Sequence, residues 1–103
     1  MAEWIRVADE GEIGEGQVVA FPAGDRAVAV ANVGGELLAF DDQCTHRRCS
    51  LAEGDLAGSG IVCPCHGATF DVRSGEVLTG PATEALPTYE VRVRDGGIEV
   101  SAG

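Results

Sequence analysis

The chain has 103 residues, the length of one small domain, with 45% hydrophobic and 23% charged residues. These fractions are typical of a folded globular protein and exclude a disordered chain. The formal charge of −10, from 17 Asp and Glu against seven Arg, would repel phosphates, so we expect neither nucleic acid nor anionic lipid as a partner. No apolar run approaches the roughly 20 residues of a spanning helix, and no secretory signal is visible. We therefore expect a cytoplasmic protein that binds no membrane.

Short apolar segments separated by turn residues predict strands, and helical periodicity is nearly absent. In chain order the predicted strands are Trp4–Ala8 (an edge strand), Gln17–Phe21, Arg26–Ala31, Glu36–Phe40, Tyr89–Arg94 and Ile98–Val100. Turns are predicted at Pro22–Asp25, Gly34–Gly35 and Asp95–Gly97, because their residues favour the backbone angles of tight turns. In the fifth strand, Val91 and Val93 are predicted to point inward. The expected fold is all-β, an antiparallel sandwich or barrel.

The segment from Asp41 to Pro81 interrupts this pattern. It contains all four Cys and both His of the chain but shows little strand character. Long segments without structure of their own are uncommon in compact domains. We therefore expect this one to be organised by metal ligands rather than by a ladder of strands.

Two short motifs in this segment supply four potential metal ligands. They are Cys44-Thr45-His46 and, after sixteen intervening residues, Cys63-Pro64-Cys65-His66. Two Cys and two His on two loops form a site for zinc or for an iron–sulfur cluster, because thiolate suits both and imidazole suits either. On ligand chemistry alone, a tetrahedral zinc site remains the alternative to a cluster.

Together the two motifs resemble the signature of Rieske [2Fe–2S] proteins, in which two Cys hold one iron and two His hold the other. Each ligand loop contributes one residue of each kind. The ligands that the resemblance implies are Cys44 and Cys63 for one iron and His46 and His66 for the other. The cofactor that it implies is a Rieske-type [2Fe–2S] cluster.

The flanking sequence extends this resemblance over about residues 25–100. A Gly-Pro-Ala sequence around Pro81 is similar to the proline loop that covers one side of the cluster in the family. The resemblance therefore implies a Rieske-type antiparallel β-sandwich or barrel, as a single domain over residues 1–103. Within it, a small cluster-binding subdomain at about residues 41–81 would consist of the two ligand loops and the proline loop.

The two other cysteines, Cys49 and Cys65, occupy positions at which some Rieske proteins carry a disulfide between the ligand loops. The resemblance implies the same pairing here. The alternative is two separate thiols, since disulfides are uncommon in a reducing cytosol.

Ala68 and Phe70 also stand at informative positions in the environment of the implied cluster. Respiratory Rieske proteins carry Ser and Tyr there, and the hydroxyls donate hydrogen bonds to a bridging sulfide and a ligand sulfur. Because such donors stabilise the reduced cluster, their absence predicts a reduction potential toward the low end of the Rieske span of about −150 to +300 mV.

The resemblance implies a function in electron transfer. It is that of a Rieske-type ferredoxin, a one-electron carrier between a flavin-dependent reductase and a terminal oxygenase. We expect no catalysis by the chain alone, because an oxygenase needs a further iron bound by two His and a carboxylate, and both His are assigned to the cluster. The alternatives are a small subunit of a nitrite-reductase-like or other reductase complex, or a redox-sensing module.

Two arginines, Arg47 and Arg48, directly follow His46 in this acidic chain. We expect them to contact carboxylates of a protein partner and to orient it at the cluster. The alternative is an ion pair within their own loop, with Glu53 or Asp55.

Overall fold

The computed structural model describes residues 4–23, 26–43, 49–65, 67–80 and 84–101, and strands dominate its secondary structure. The strands are β1 Trp4–Asp9, β2 Val18–Ala23, β3 Arg26–Val33, β4 Glu36–Asp41, β5 Asp55–Ala57, β6 Gly60–Val62, β7 Thr69–Asp71, β8 Val77–Thr79, β9 Thr88–Tyr89, β10 Val91–Arg94 and β11 Gly97–Ser101. A single 3₁₀ turn, Leu51–Glu53, is present in these ranges. Within them no helix is long and apolar enough to cross a membrane.

The strands form three sheets in which every pair is antiparallel. The orders are β1-β11-β10, β2-β3-β4-β9 and β5-β6-β7-β8. The predicted all-β antiparallel fold is therefore confirmed, and so is the edge position of the first strand. Below, the sheets are called first, second and third in this order.

The second sheet lies at the centre, because its strand β3 is buried on both faces. Val28 and Val30 point to one face and Ala29 and Ala31 to the other, since side chains alternate along a strand. The valine face shares a core with the first sheet, and the alanine face shares a core with the third. We call the latter the Phe70 core, and its buried members are Ala29, Ala31, Phe40, Leu51, Ile61, Cys63, Ala68, Phe70, Val72 and Leu86.

The expectation of little strand character between residues 41 and 81 is wrong. Strands β5 to β8 form the four-stranded third sheet within this segment. Each of these strands has only three residues, too few for an alternating pattern to stand out between the glycines and prolines. The cysteine-containing loops therefore extend from a ladder of strands and do not replace one.

The prediction of one continuous strand over Tyr89–Arg94 is also wrong. The chain leaves the ladder at Glu90, so that β9 pairs with β4 of the second sheet whereas β10 pairs with β11 of the first. Val91 is half-buried and packs against the core shared with the first sheet, as predicted, whereas Val93 is 45% exposed. An alternating sequence records the polarity of side chains but not which strand lies beside them.

The turn predicted at Gly34–Gly35 is confirmed, and the turn predicted at Asp95–Gly97 is one residue shorter than expected. Gly34 and Gly35 connect β3 to β4 with positive φ angles of 61° and 95°, which glycine adopts without steric cost. Asp95–Gly96 connects β10 to β11, with Gly97 already in the strand. The turn predicted at Pro22–Asp25 lies partly outside the described residues, and in its described half β2 continues through Pro22 and Ala23. Proline is tolerated there since β2 is an edge strand.

Candidate metal centre

The second cysteine motif begins where β6 ends, at Cys63. The backbone N–H of Cys63 donates a hydrogen bond to the carbonyl oxygen of Ala68 (N···O 2.7 Å), and that of Gly67 donates to the carbonyl oxygen of Cys63 (3.1 Å). Gly67 closes this loop with a φ of 76°, which favours glycine. The Cys63 side chain is only 2% exposed and belongs to the Phe70 core. The loop therefore has a fixed base and a buried sulfur.

Three sulfur atoms meet beside this loop. The structure joins Cys49 to Cys65 in a disulfide, with their Cα atoms 6.4 Å apart, and this is the pairing that the resemblance implied. The Sγ atoms of Cys49, Cys63 and Cys65 all lie within 4.8 Å of one another. Cys49 is half-buried and Cys65 is exposed. The disulfide thus links the loop after β4 to the loop after β6 and leaves Cys63 outside the bridge.

The structure describes part of the predicted site. The residues that lie outside the described ranges are Cys44, His46, Arg47, Arg48, His66 and Pro81. Those that it brings together are the three cysteines above, with Ala68 and Phe70 in the same core as Cys63.

The surroundings of Cys63 are apolar on the side of β7. Ala68 and Phe70 have no exposed surface, and neither side chain carries a hydroxyl. Thr69 lies between them on the strand, and its hydroxyl donates to the carbonyl oxygen of Gly67 (3.3 Å). This agrees with the alternation of a strand, which points neighbouring side chains to opposite faces.

A buried carboxylate, that of Asp42, closes the base of the first cysteine loop. It is 6% exposed and accepts hydrogen bonds from the Ser50 hydroxyl (2.6 Å) and the Ala52 backbone N–H (2.9 Å). The backbone carbonyl oxygen of Asp42 accepts a hydrogen bond from the Leu51 N–H (2.7 Å). Gln43, the next residue, forms a single antiparallel bridge with Ser50. The sequence does not indicate this role of Asp42, because burial and contacts eight to ten residues away leave no local pattern.

Replacing Asp42 with alanine is expected to lower the free energy of unfolding by about 3 kcal/mol. The substitution leaves the Ser50 hydroxyl and the Ala52 N–H without their charged acceptor in a partly buried place. Ser50→Ala removes only one of the two bonds and should cost about 1 kcal/mol. Urea unfolding of both variants measures the difference, and equal losses would contradict the role given to the carboxylate.

The described part of the site has the donor chemistry of a metal centre that uses sulfur. Cys63 offers a sulfur in an apolar core, at a loop whose backbone is already held by hydrogen bonds. The disulfide holds the first cysteine loop, through Cys49, against the loop that contains Cys63. The residues present therefore fit a thiolate-bound group placed between two linked loops, and thiolate ligands suit iron–sulfur clusters. Fold and site together define a small all-β protein with a sulfur-ligated metal centre.

Comparison with known proteins agrees with this class. Residues 3–90 match the Rieske [2Fe-2S] domain, and the chain belongs to that family. Family membership confirms the Rieske-type [2Fe–2S] cluster as the cofactor and decides against the zinc alternative.

Similar proteins are ferredoxin components of dioxygenase systems. The anthranilate 1,2-dioxygenase ferredoxin subunit of Burkholderia cepacia is 35% identical over all of this chain and 95% of that protein. Among solved structures, Sphingomonas yanoikuyae B1 ferredoxin superposes with a TM-score of 0.92 at 31% identity, covering 98% of this chain and 100% of that one. A chain in the complex of reduced oxygenase and oxidized ferredoxin of carbazole 1,9a-dioxygenase superposes with a TM-score of 0.87 at 35% identity, covering 93% of this chain and 99% of that one.

Proposed function

We propose that this protein is a Rieske-type ferredoxin that carries single electrons from a flavin-dependent reductase to a terminal oxygenase. The observation that carries the proposal is the full-length similarity to a dioxygenase ferredoxin subunit, in which nearly all of that subunit is covered. The similarity to a chain in a solved complex of reduced oxygenase and oxidized ferredoxin supports an oxygenase as the electron acceptor.

The proposed cluster ligands are Cys44, His46, Cys63 and His66. The bound [2Fe–2S] cluster supplies the one-electron chemistry. The chain positions the ligand loops through the Cys49–Cys65 disulfide and the buried base of the second loop. We assign this machinery to the segment of about residues 41–81, within a single domain over residues 1–103, and place Pro81 in the loop that covers the site.

The proposed carrier has no catalytic activity of its own. Both His of the chain are assigned to the cluster, so none is left to bind a mononuclear iron. Its location in the cytoplasm stays a prediction from the sequence. The alternatives, a stable subunit of a reductase complex or a redox-sensing module, differ in behaviour, because a carrier forms only weak and transient complexes. Copurification of a stoichiometric partner would favour the subunit.

The anaerobically purified protein is expected to contain iron and acid-labile sulfide in equal amounts. After reduction with dithionite it should give the electron paramagnetic resonance spectrum of a Rieske cluster. It should then pass electrons from a flavin-dependent ferredoxin reductase to a Rieske oxygenase in a reconstituted assay. A silent spectrum together with stoichiometric zinc would overturn the assignment of the cluster, and a normal spectrum without transfer would overturn the assignment of the partners.

Reversing the charge of Arg47 or Arg48 is expected to slow electron transfer to one partner about tenfold at low ionic strength. Each substitution by Glu would replace attraction to a partner carboxylate by repulsion. The effect should fade in high salt, because exposed charges are screened. Arg94→Glu makes the same change of charge on exposed β10 and should leave the rate near that of the wild type. Rates that respond equally to all three variants would rule out a specific docking role.

A further inference from the structure

The three described cysteines are arranged closely enough to bind one metal ion together. The Sγ atoms of Cys49, Cys63 and Cys65 lie within 4.8 Å of one another. In tetrahedral zinc sites a Zn–S distance of about 2.3 Å places the sulfur ligands about 3.8 Å apart. The three sulfurs therefore lie close enough for one ion to reach all of them, once the Cys49–Cys65 bond no longer joins two of them.

This disulfide is open to reductants. Cys65 is exposed and Cys49 is half-buried. Because exposed disulfides are reduced more readily than buried ones, a reductant in solution can attack this bond. A dithiol or a phosphine supplies two electrons, two protons are taken up, and the S–S bond is replaced by two thiols. Reduction thus turns one bridge and one buried sulfur into three potential thiolate ligands.

The backbone around the three cysteines is held by contacts that do not depend on the disulfide. Cys49 adjoins Ser50, which bridges to Gln43 and donates its hydroxyl hydrogen bond to Asp42. On the other loop, the hydrogen bond from Cys63 to Ala68 fixes one cysteine. The intervening proline restricts the backbone that leads to Cys65. The three sulfurs are therefore expected to stay near one another after the bond is broken.

We propose that reduction of the Cys49–Cys65 disulfide in the cluster-free chain opens a second metal site, in which Cys49, Cys63 and Cys65 bind a soft divalent ion such as Zn²⁺. The thiols release their protons on binding, and water completes the tetrahedron. Because Cys63 is also a proposed ligand of the cluster, the two sites exclude each other. The intact disulfide then has a second role, which is to keep two sulfurs out of reach of zinc while the cluster is assembled.

The experiment uses the full-length chain without its cluster, as the disulfide form and after treatment with a phosphine reductant. Zn²⁺ affinity is measured by competition with a chromophoric chelator, and Co²⁺ serves as a spectroscopic probe of thiolate ligation. We expect the reduced form to bind one Zn²⁺ at least about tenfold more tightly than the disulfide form. We also expect stronger thiolate-to-Co²⁺ charge-transfer absorption in the reduced form. Equal affinity in the two forms would overturn the proposal without recourse to any variant.

Two double variants locate the ion. Cys49→Ser with Cys65→Ser leaves the four proposed cluster ligands in place, and under reducing conditions it should bind Zn²⁺ as weakly as the disulfide form. His46→Ala with His66→Ala leaves the three cysteines in place and should keep the tight binding. The opposite result in either variant would place the ion at the cluster ligands and overturn the proposal. Circular dichroism of the same samples reports whether the strands are retained.

Discussion

Replacing Gly54 with alanine is expected to lower the free energy of unfolding by about 3 kcal/mol and to reduce the iron bound per chain. A Cβ at this position would lie 1.9 Å from the carbonyl oxygen of Val62 and 3.2 Å from Cδ of Pro64. The closer contact is with backbone, so no rotation of a side chain relieves it, and overpacking of this kind costs about 1–3 kcal/mol or more. The end of β6 must shift, and Cys63 follows Val62 directly. The substitution therefore disturbs the position of a proposed cluster ligand.

Gly14→Ala is the matched control for this variant, because Gly14 lies in the loop before β2, outside the segment assigned to the site. A Cβ at Gly14 would meet only the end of the flexible Gln17 side chain (3.1 Å to Oε1), which can move aside, and its backbone is not in the left-handed region that favours glycine. Its free energy of unfolding should stay within about 0.5 kcal/mol of the wild type. Urea unfolding and iron analysis of both variants provide the comparison. Equal unfolding midpoints or equal iron contents would contradict the role given to Gly54.

The longer strands could be predicted from sequence, because each has enough residues for its pattern of apolar and polar side chains to indicate which faces are buried. The uninterrupted apolar run of β3 reflects burial on both faces, with valine toward one core and alanine toward the other. The three-residue strands of the third sheet were not predictable in this way. Their positions depend on pairing with partners such as Ile61 against Phe70, which only the folded chain brings together.

The site was predictable where its chemistry is tied to residue type and spacing. Cysteine and histidine in two short motifs indicate a metal site whatever the fold around them. The disulfide was implied by the resemblance to the Rieske family. The supporting residues Asp42 and Gly54 were not predictable, because their roles come from distant neighbours. From sequence alone, the pair Asp41-Asp42 indicates the solvated end of a strand, and a glycine after Glu53 indicates a turn.

Adding a hydroxyl at Ala68 or Phe70 is expected to raise the reduction potential by about 50 mV each. The carbonyl oxygen of Ala68 accepts the N–H of Cys63, and both side chains are fully buried in the core that holds Cys63. A hydroxyl donor to sulfur stabilises the reduced, more negative cluster more than the oxidised one. A differential of about 1.2 kcal/mol between the two oxidation states corresponds to roughly 50 mV for a one-electron couple.

The variants are Ala68→Ser, Phe70→Tyr and their combination, with Thr69→Val as the control. Thr69 carries the one hydroxyl between the two positions, and it donates to the Gly67 carbonyl oxygen, so its removal should leave the potential unchanged. Redox titration followed by electron paramagnetic resonance measures all four proteins against the wild type. The wild type should titrate toward the low end of the Rieske span, about −150 to +300 mV, which suits a carrier reduced by a flavin enzyme. If the double variant titrates at the wild-type value, the absent hydroxyls do not set the potential, and the apolar packing of Ala68 and Phe70 around Cys63 becomes the first alternative to test.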